Sequence, residues 1–328
     1  MQDILTCAMG LDIHRDVIVA CLAKGELGTD PEIEIRSFST LIPEMRKLRD
    51  WVLEAECRYV AMESTGIYWQ PIYEMLEPCF DGQISILVVN ARHMKNVPGR
   101  KTDMRDAQWI ATLLRAGLLK GSFIPDKTFR ELRHLTRYRK SIVRDITAQK
   151  NRIDKFLQSS GFRFTAFLSD AFGASGRNII RHLMEYGNIS REALDRCLKT
   201  QTRKRIDEIL IALNGSLSEH QRGFLRMIFG HLEALEQHRH TVEDAITKEI
   251  TKHEEALSLL CSIPGIDVTA AAAIIAEIGT DMSAFPDSQH ICSWAGLSPG
   301  NNESAGKRKS AHINKGNPYL KSMLCEVG

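Results

Sequence analysis

Four carboxylates are the residues best equipped for chemistry in this chain: Asp12, Glu63, Asp103 and Asp106. Asp12 closes the apolar run AMGLDI and Glu63 closes RYVAME, so each stands where a buried strand gives way to solvent. Asp103 and Asp106 lie three apart in DMRDAQWIATLLRAGLL. That spacing puts both on one face of a helix start, beside the apolar stripe of Ala107, Ile110, Ala111, Leu114 and Leu118. Acidic groups gathered in this way repel one another unless a cation lies between them. Two divalent ions about 4 Å apart would suit phosphodiester chemistry, one activating the nucleophile and the other stabilising the leaving oxygen. Oxygen donors and a phosphate substrate favour Mg2+, with Mn2+ as its substitute. A structural role stays open for three of the four: a helix dipole attracts Asp103 and Asp106 to a first turn, and Asp12 suits a hairpin turn.

A second candidate is Ser304 in NNESAGKRKS, a Gly/Asn-rich loop with Lys307, Arg308 and Lys309 just after it. A serine hydroxyl attacks only once its proton is removed or its charge is stabilised, and neighbouring cations favour the approach of a phosphate. By residue type alone, a loop serine is more often a turn former. The net charge of the chain is only +2, but between Arg92 and Lys155 basic residues outnumber acidic ones by 17 to 6. Beside a carboxylate cluster, such a stretch suits a polyanionic partner. The candidate contacts are Arg100 and Lys101 before the second pair of acids, then Arg133, Arg137, Arg139, Lys140 and Arg144, with Lys307, Arg308, Lys309 and Lys315 near the end of the chain.

The elements that must position these residues fall into three stretches. Residues 1–125 read as an α/β domain: a hairpin of AMGLDI and VIVACLA, a third strand EIEIRSF, a helix from about Pro43 to Cys57, the strand RYVAME, a helix from Ile67 to Cys79, the strand ISILVVN, and the helix beginning at Asp103. Residues 126–255 read as a long helical, coiled-coil-like middle. Leu132, Leu135, Arg139, Ile142, Ile146, Gln149, Ile153 and Phe156 alternate by three and four, as do Leu225, Ile228, Leu232, Leu235, Arg239, Val242 and Ile246. These seams suit either a hairpin within one chain or an oligomer contact. Residues 256–328 read as a mainly α C-terminal domain. There SIPGIDVTAAAAIIAEIG is similar to a helix-hairpin-helix that offers backbone N–H groups to phosphates, although Asp267 stands where a second glycine is common. The end at Gly328, inside a developing helix, suggests a shortened domain. Tyr68, Trp69, Trp109 and Trp294 read as core or domain-contact residues.

No run of apolar residues is long enough for a membrane span, no signal peptide opens the sequence, and the eight cysteines form no C-x-x-C pair. The expectation is a cytoplasmic, nucleoid-associated protein without a membrane partner.

The blocks GLDIHRD, AMESTGIYWQPIYEML and VNARHMKNVPGRKTDMRDAQWIATLLRAGLL resemble the DEDD, RuvC-like domain of the IS110 family of insertion-sequence transposases. The block from SIPGIDVTAAAAIIAEIG to NNESAGKRKSAHINKGNPYLK resembles that family's second transposase domain. The resemblance implies an RNase H-like mixed sheet with flanking helices, with Asp12, Glu63, Asp103 and Asp106 as the four metal ligands. It implies Ser304 as a nucleophile that forms a covalent protein–DNA intermediate, with Ser310 as the alternative. It further implies a recombinase that excises and inserts its own element, acts on element ends and target DNA, and is guided by an element-encoded RNA. A site composed from two protomers in a homodimer or homotetramer is also implied. The competing readings are a junction resolvase or RNase H-like nuclease that uses water, and an inactive nucleic-acid-binding remnant.

Overall fold

Short β-branched runs separated by turns produce a sheet at the start of the chain. In the computed structural model, which describes residues 3–64, 66–90, 106–299, 302–304, 307–310, 313 and 316–327, two compact units emerge, Met1–Ile124 and Pro125–Gly328. In the first, β1 (Cys7–Ile13) and β2 (Val17–Lys24) form the expected antiparallel hairpin, and β3 (Glu32–Ser39) pairs antiparallel with β2. The strands β4 (Tyr59–Glu63) and β5 (Ser85–Val89) add in parallel, giving a five-stranded sheet of order β3-β2-β1-β4-β5. Parallel neighbours need crossovers, and α1 (Ile42–Glu54) and α2 (Gln70–Leu76) lie in them.

Strand alternation sorts β1 between two faces. Met9, Leu11 and Ile13 pack with Leu48, Trp51, Ile72 and Leu76 of α1 and α2. On the opposite face Ala8 and Ala61 pack against Trp109, Ile110, Leu113 and Leu114 of α3 (Asp106–Arg115). The small residues on that face let α3 approach closely. A Cβ on Gly10 would overlap the carbonyl oxygen of Ala107 and the amide nitrogen of Ala111. At its far end α3 is tied to the sheet by Arg115, which is 1% exposed. Its guanidinium donates to the carbonyls of Leu5, Gly25 and Glu26 and pairs with Asp3 at 3.2 Å.

Two helices differ from the sequence expectation. α2 starts at Gln70, not Ile67, because Pro71 suits a first helical turn, and it ends before Pro78. Residues 79–82 follow as a separate 3-10 turn. α3 stops at Arg115 instead of running through Leu118, because Gly117 takes a left-handed φ of 67°.

The second unit is built on α4 (Lys127–Ser159) and α9 (Glu219–Ile250). They run antiparallel: Arg139 pairs with Glu243, Gln149 reaches the carbonyl of Ile228, and Phe156 meets Phe224. The two apolar seams therefore face each other inside the chain. The polar interruptions of the first seam are also satisfied there, with Arg139 at 2.8 Å from Glu243 and Gln149 at 2.6 Å from Ile228 O. Ser218 and Gln221 form a reciprocal capping box at the start of α9. Between the pair lie α5 (Ala174–Tyr186), α6 (Arg191–Cys197), α7 (Thr200–Arg203) and α8 (Ile206–Ala212). After it come α10 (Glu254–Cys261), α11 (Val268–Ile278), α12 (Ser288–Ala295), the hairpin β6 (Asn302–Ser304) and β7 (Lys307–Ser310), and α13 (Pro318–Val327). Among the described residues, no helix is long and apolar enough to cross a membrane.

Candidate functional site

The parallel register of β1 and β4 runs Met9 with Val60, Gly10 with Ala61 and Leu11 with Met62. Asp12 and Glu63 each follow the last of these pairs by one residue, at matching ends of neighbouring central strands. Asp12 shares a face with Gly10, and Glu63 with Ala61, so both lie on the side covered by α3. Ala107 sits over Gly10, and the preceding residue, Asp106, opens α3. Three of the four expected carboxylates thus lie toward one end and one face of the sheet. Asp12 keeps 16% of its side-chain surface, and Asp106 is exposed. Asp103, with Arg100 and Lys101, lies outside the described residues.

His14 was not singled out by sequence reasoning. Its Nε2 lies 3.2 Å from Oδ2 of Asp12. Its place two residues on, in the tight turn, is the signal that would have found it. Carboxylates are the donors a hard divalent cation prefers, so Asp12, Glu63 and Asp106 are the described residues that could hold one. Among the described residues, no three His, Cys, Asp or Glu side chains stand close enough to form a metal cluster as they are.

In the second unit, Ser304 lies in a short strand instead of the expected open loop. It ends β6 opposite Lys307, and Glu303 pairs with Arg308. The hairpin is framed by a bridge between Pro299 and Ile313. Beyond it, Gly316 packs on the end of α12, where a Cβ would overlap the backbone of Ala295 and Gly296. Asn317 donates its amide N–H to Trp294 O at 2.9 Å, and its side-chain oxygen caps α13 at Tyr319 and Leu320. Lys315 lies outside the described residues.

The basic residues of α4 divide into two sets. Arg133 donates to the carbonyls of Ala276 and Glu277, and burial pulls its guanidinium down to about 10 against the pull of the Glu277 carboxylate. Arg137 grips both oxygens of Glu277 at 2.8 Å, and Arg139 is paired with Glu243. Three of the expected nucleic-acid contacts are therefore engaged within the protein. Lys140 and Arg144 make no ion pair among the described residues. Glu277 escaped the sequence reading. It is 2% exposed and also accepts from Asn317 Nδ2 at 2.6 Å, so one carboxylate joins α4, α11 and the start of α13. A lone acid in the apolar helix VTAAAAIIAEI was the available signal.

The turn between α10 and α11 has the expected helix–turn–helix form. Gly265 takes φ 90°, and Asp267 caps α11 by accepting from the Ala270 N–H at 2.7 Å. That capping role accounts for an acid where a hairpin glycine was expected. Trp109 is buried and Trp294 packs on Phe285, as expected of core residues, whereas Tyr68 is exposed.

Residues 9–161 match a family model described as transposase, the DEDD model of the IS110 type. Residues 257–328 match the model of the transposase IS116/IS110/IS902 family. The chain belongs to the IS110 transposase family. The first model spans β1 to the end of α4, and so covers every carboxylate of the candidate site; the second spans α11, the Ser304 hairpin and α13. Two relatives fall in the same group. The insertion element IS110 43.6 kDa protein of Streptomyces coelicolor is 28% identical over 248 residues, covering 69% of this chain and 60% of the relative. A protein of Sinorhizobium fredii named as transposase y4qE is 22% identical over 230 residues, covering 69% of this chain and 47% of the relative. This IS110-family chain thus spans about half to three-fifths of the length of these relatives.

Proposed function

We propose that this chain is a DNA transposase that cuts and rejoins the ends of its own insertion element, using a metal half in residues 1–125 and a serine half in residues 256–328. The observation that carries the reading is the placement of Asp12 and Glu63 one residue beyond the parallel register of β1 and β4, on the face covered by α3, which Asp106 opens. The family match covers all three acids. In this reading Asp12, Glu63, Asp103 and Asp106 hold Mg2+, or Mn2+ in its place. Bound divalent ions would supply charge neutralisation on the phosphate oxygens.

The chemistry of the chain's own residues then follows. The Oγ of Ser304 attacks the phosphorus of a DNA phosphodiester. A Ser–O–P bond forms, the bond to the leaving deoxyribose oxygen breaks, and overall the serine proton ends on that oxygen. The phosphate energy is conserved in the covalent link, so a second DNA end can reverse the step and be joined. Lys307, Arg308 and Lys309 on β7, with Lys315, hold the strand beside Ser304. The element-encoded guide RNA and a site shared between two copies remain part of the proposal through family resemblance. An RuvC-like character of the first unit is supported by its mixed sheet with helices on both faces.

The test is covalent trapping. The full chain is mixed with nicked element-end DNA and Mg2+, then resolved under denaturing conditions. A protein–DNA band is expected; it should vanish with Ser304→Ala, with Asp12→Asn and with chelation. Cleavage that survives Ser304→Ala without the band would show water as nucleophile and overturn the serine step. Mixing the Asp12→Asn and Ser304→Ala chains should restore the band if two copies build the site.

A further inference from the structure

The second unit contains a groove of about 230 Å³ walled by α4, α9, α11 and α13. Its floor is apolar: Val143, Ile246, Ala273 and Met323, with the Thr269 hydroxyl beside them. One wall is a fixed aromatic platform. The guanidinium of Arg137 lies 4.4 Å from the Tyr319 ring centroid and is clamped from behind by both oxygens of Glu277. Because Glu277 is buried and holds three donors, that stack is preorganised and does not depend on solvent.

The rim is charged, and the charges do not cancel. Arg137 and Arg139 are paired with Glu277 and Glu243. Lys140 and Arg144 also line the groove, one turn apart on α4, and neither meets a carboxylate among the described residues. Against them stands Glu326, whose Oε1 accepts from Ser322 at 3.0 Å. Two cations over an apolar slot with an aromatic wall match the chemistry of a nucleotide: an anionic phosphate joined to a flat base that stacks on Tyr or Arg planes.

We propose that this groove is a slot for one unpaired nucleotide of a single strand, its base against the Tyr319–Arg137 platform and its phosphate on Lys140 and Arg144. The slot is too narrow for a duplex, whose bases are already stacked on each other. It therefore selects strands that are melted or looped. The proposal rests on the reading of the chain as a nucleic-acid enzyme, but it concerns binding alone and needs neither Ser304 nor the strand-end carboxylates.

The experiment measures binding of the full chain to fluorescent oligo(U), oligo(dT) and a duplex, each about 12 nucleotides long, within the range of single-strand sites. Tyr319→Ala should weaken single-strand binding roughly tenfold, the scale of one lost base stack. The double change Lys140→Ala with Arg144→Ala should lower the slope of log affinity against log salt by about 0.7 for each phosphate contact removed. Alanine at these helix positions leaves the helix intact, so folding is not the variable. Met323→Trp fills the slot from the opposite side and should weaken single-strand binding while leaving duplex binding and the melting temperature unchanged. Loss with oligo(U) only assigns the slot to RNA, loss with oligo(dT) only assigns it to DNA, and both support it. An unchanged salt slope, or unchanged single-strand affinity in a folded Met323→Trp chain, overturns it. So does a Met323→Trp chain that instead loses self-association, since the occupant would then be a second copy. In every arm covalent trapping through Ser304 is measured alongside: trapping that persists while the slot fails leaves the proposed function standing, and binding that persists while trapping fails does the reverse.

Discussion

Two carboxylate sites in this molecule have opposite characters. Glu277 in the second unit has a side chain only 3% exposed, and it is held by Arg133, Arg137 and Asn317. Asp12 and Glu63 in the first unit are half-buried and each follows by one residue the last register pair of the parallel strands β1 and β4. The first is a joint between helices. Its lone pairs are taken by fixed donors, which leaves no place for a cation. The second sits at the carboxyl ends of strands, where a sheet opens to ligands. Glu277 is architectural by its burial and matched partners, whereas the proposed function makes Asp12 and Glu63 holders of a cation.

The largest test of that contrast is Glu277→Ala. It should strand Arg133 and Arg137 without a counter-charge and cost about 3–5 kcal/mol of stability in urea unfolding. Replacing the strand-end acid by Asp12→Asn should do the reverse. We expect melting to change by less than about 0.5 kcal/mol. Covalent trapping should fall by more than about 100-fold, beyond the loss usual for a residue that only supports a metal ligand. If Asp12→Asn unfolds the unit instead, both acids are architectural and the comparison collapses. Gly10→Ala falls between the two. It forces α3, and Asp106 with it, off the sheet, and should cost about 1–3 kcal/mol and reduce trapping together. The smallest effect is expected for Asp267→Ala, which removes a helix cap worth about 1 kcal/mol and should leave trapping in place when assayed well below the melting temperature.

Much of this was legible in the residues because the periodicities are strong. The alternation in EIEIRSF and the apolar closures at Asp12 and Glu63 gave the strands, and a three–four seam gave α4 and α9. The limits of the reading have physical causes. Helix ends at Gln70 and Arg115 depend on a proline and on one left-handed glycine, which act locally against a continuing apolar pattern. The roles of Arg133, Arg137 and Arg139 were not legible, since a basic residue on a helix looks the same whether it faces solvent or a carboxylate more than a hundred residues away. Glu277 is that missing partner for two of them, and only the packing of α11 on α4 reveals it.

The seat beneath Gly316 carries a consequence for engineering. Residues 295, 296 and 316 meet backbone to backbone, and Asn317 fastens the returning chain to Trp294. Both ends of the segment between α12 and α13 are therefore fixed by contacts that lie outside the Ser304 hairpin. We therefore expect the hairpin to accept exchange for that of a relative with its mount undisturbed, provided that position 304 stays a serine and position 316 a glycine.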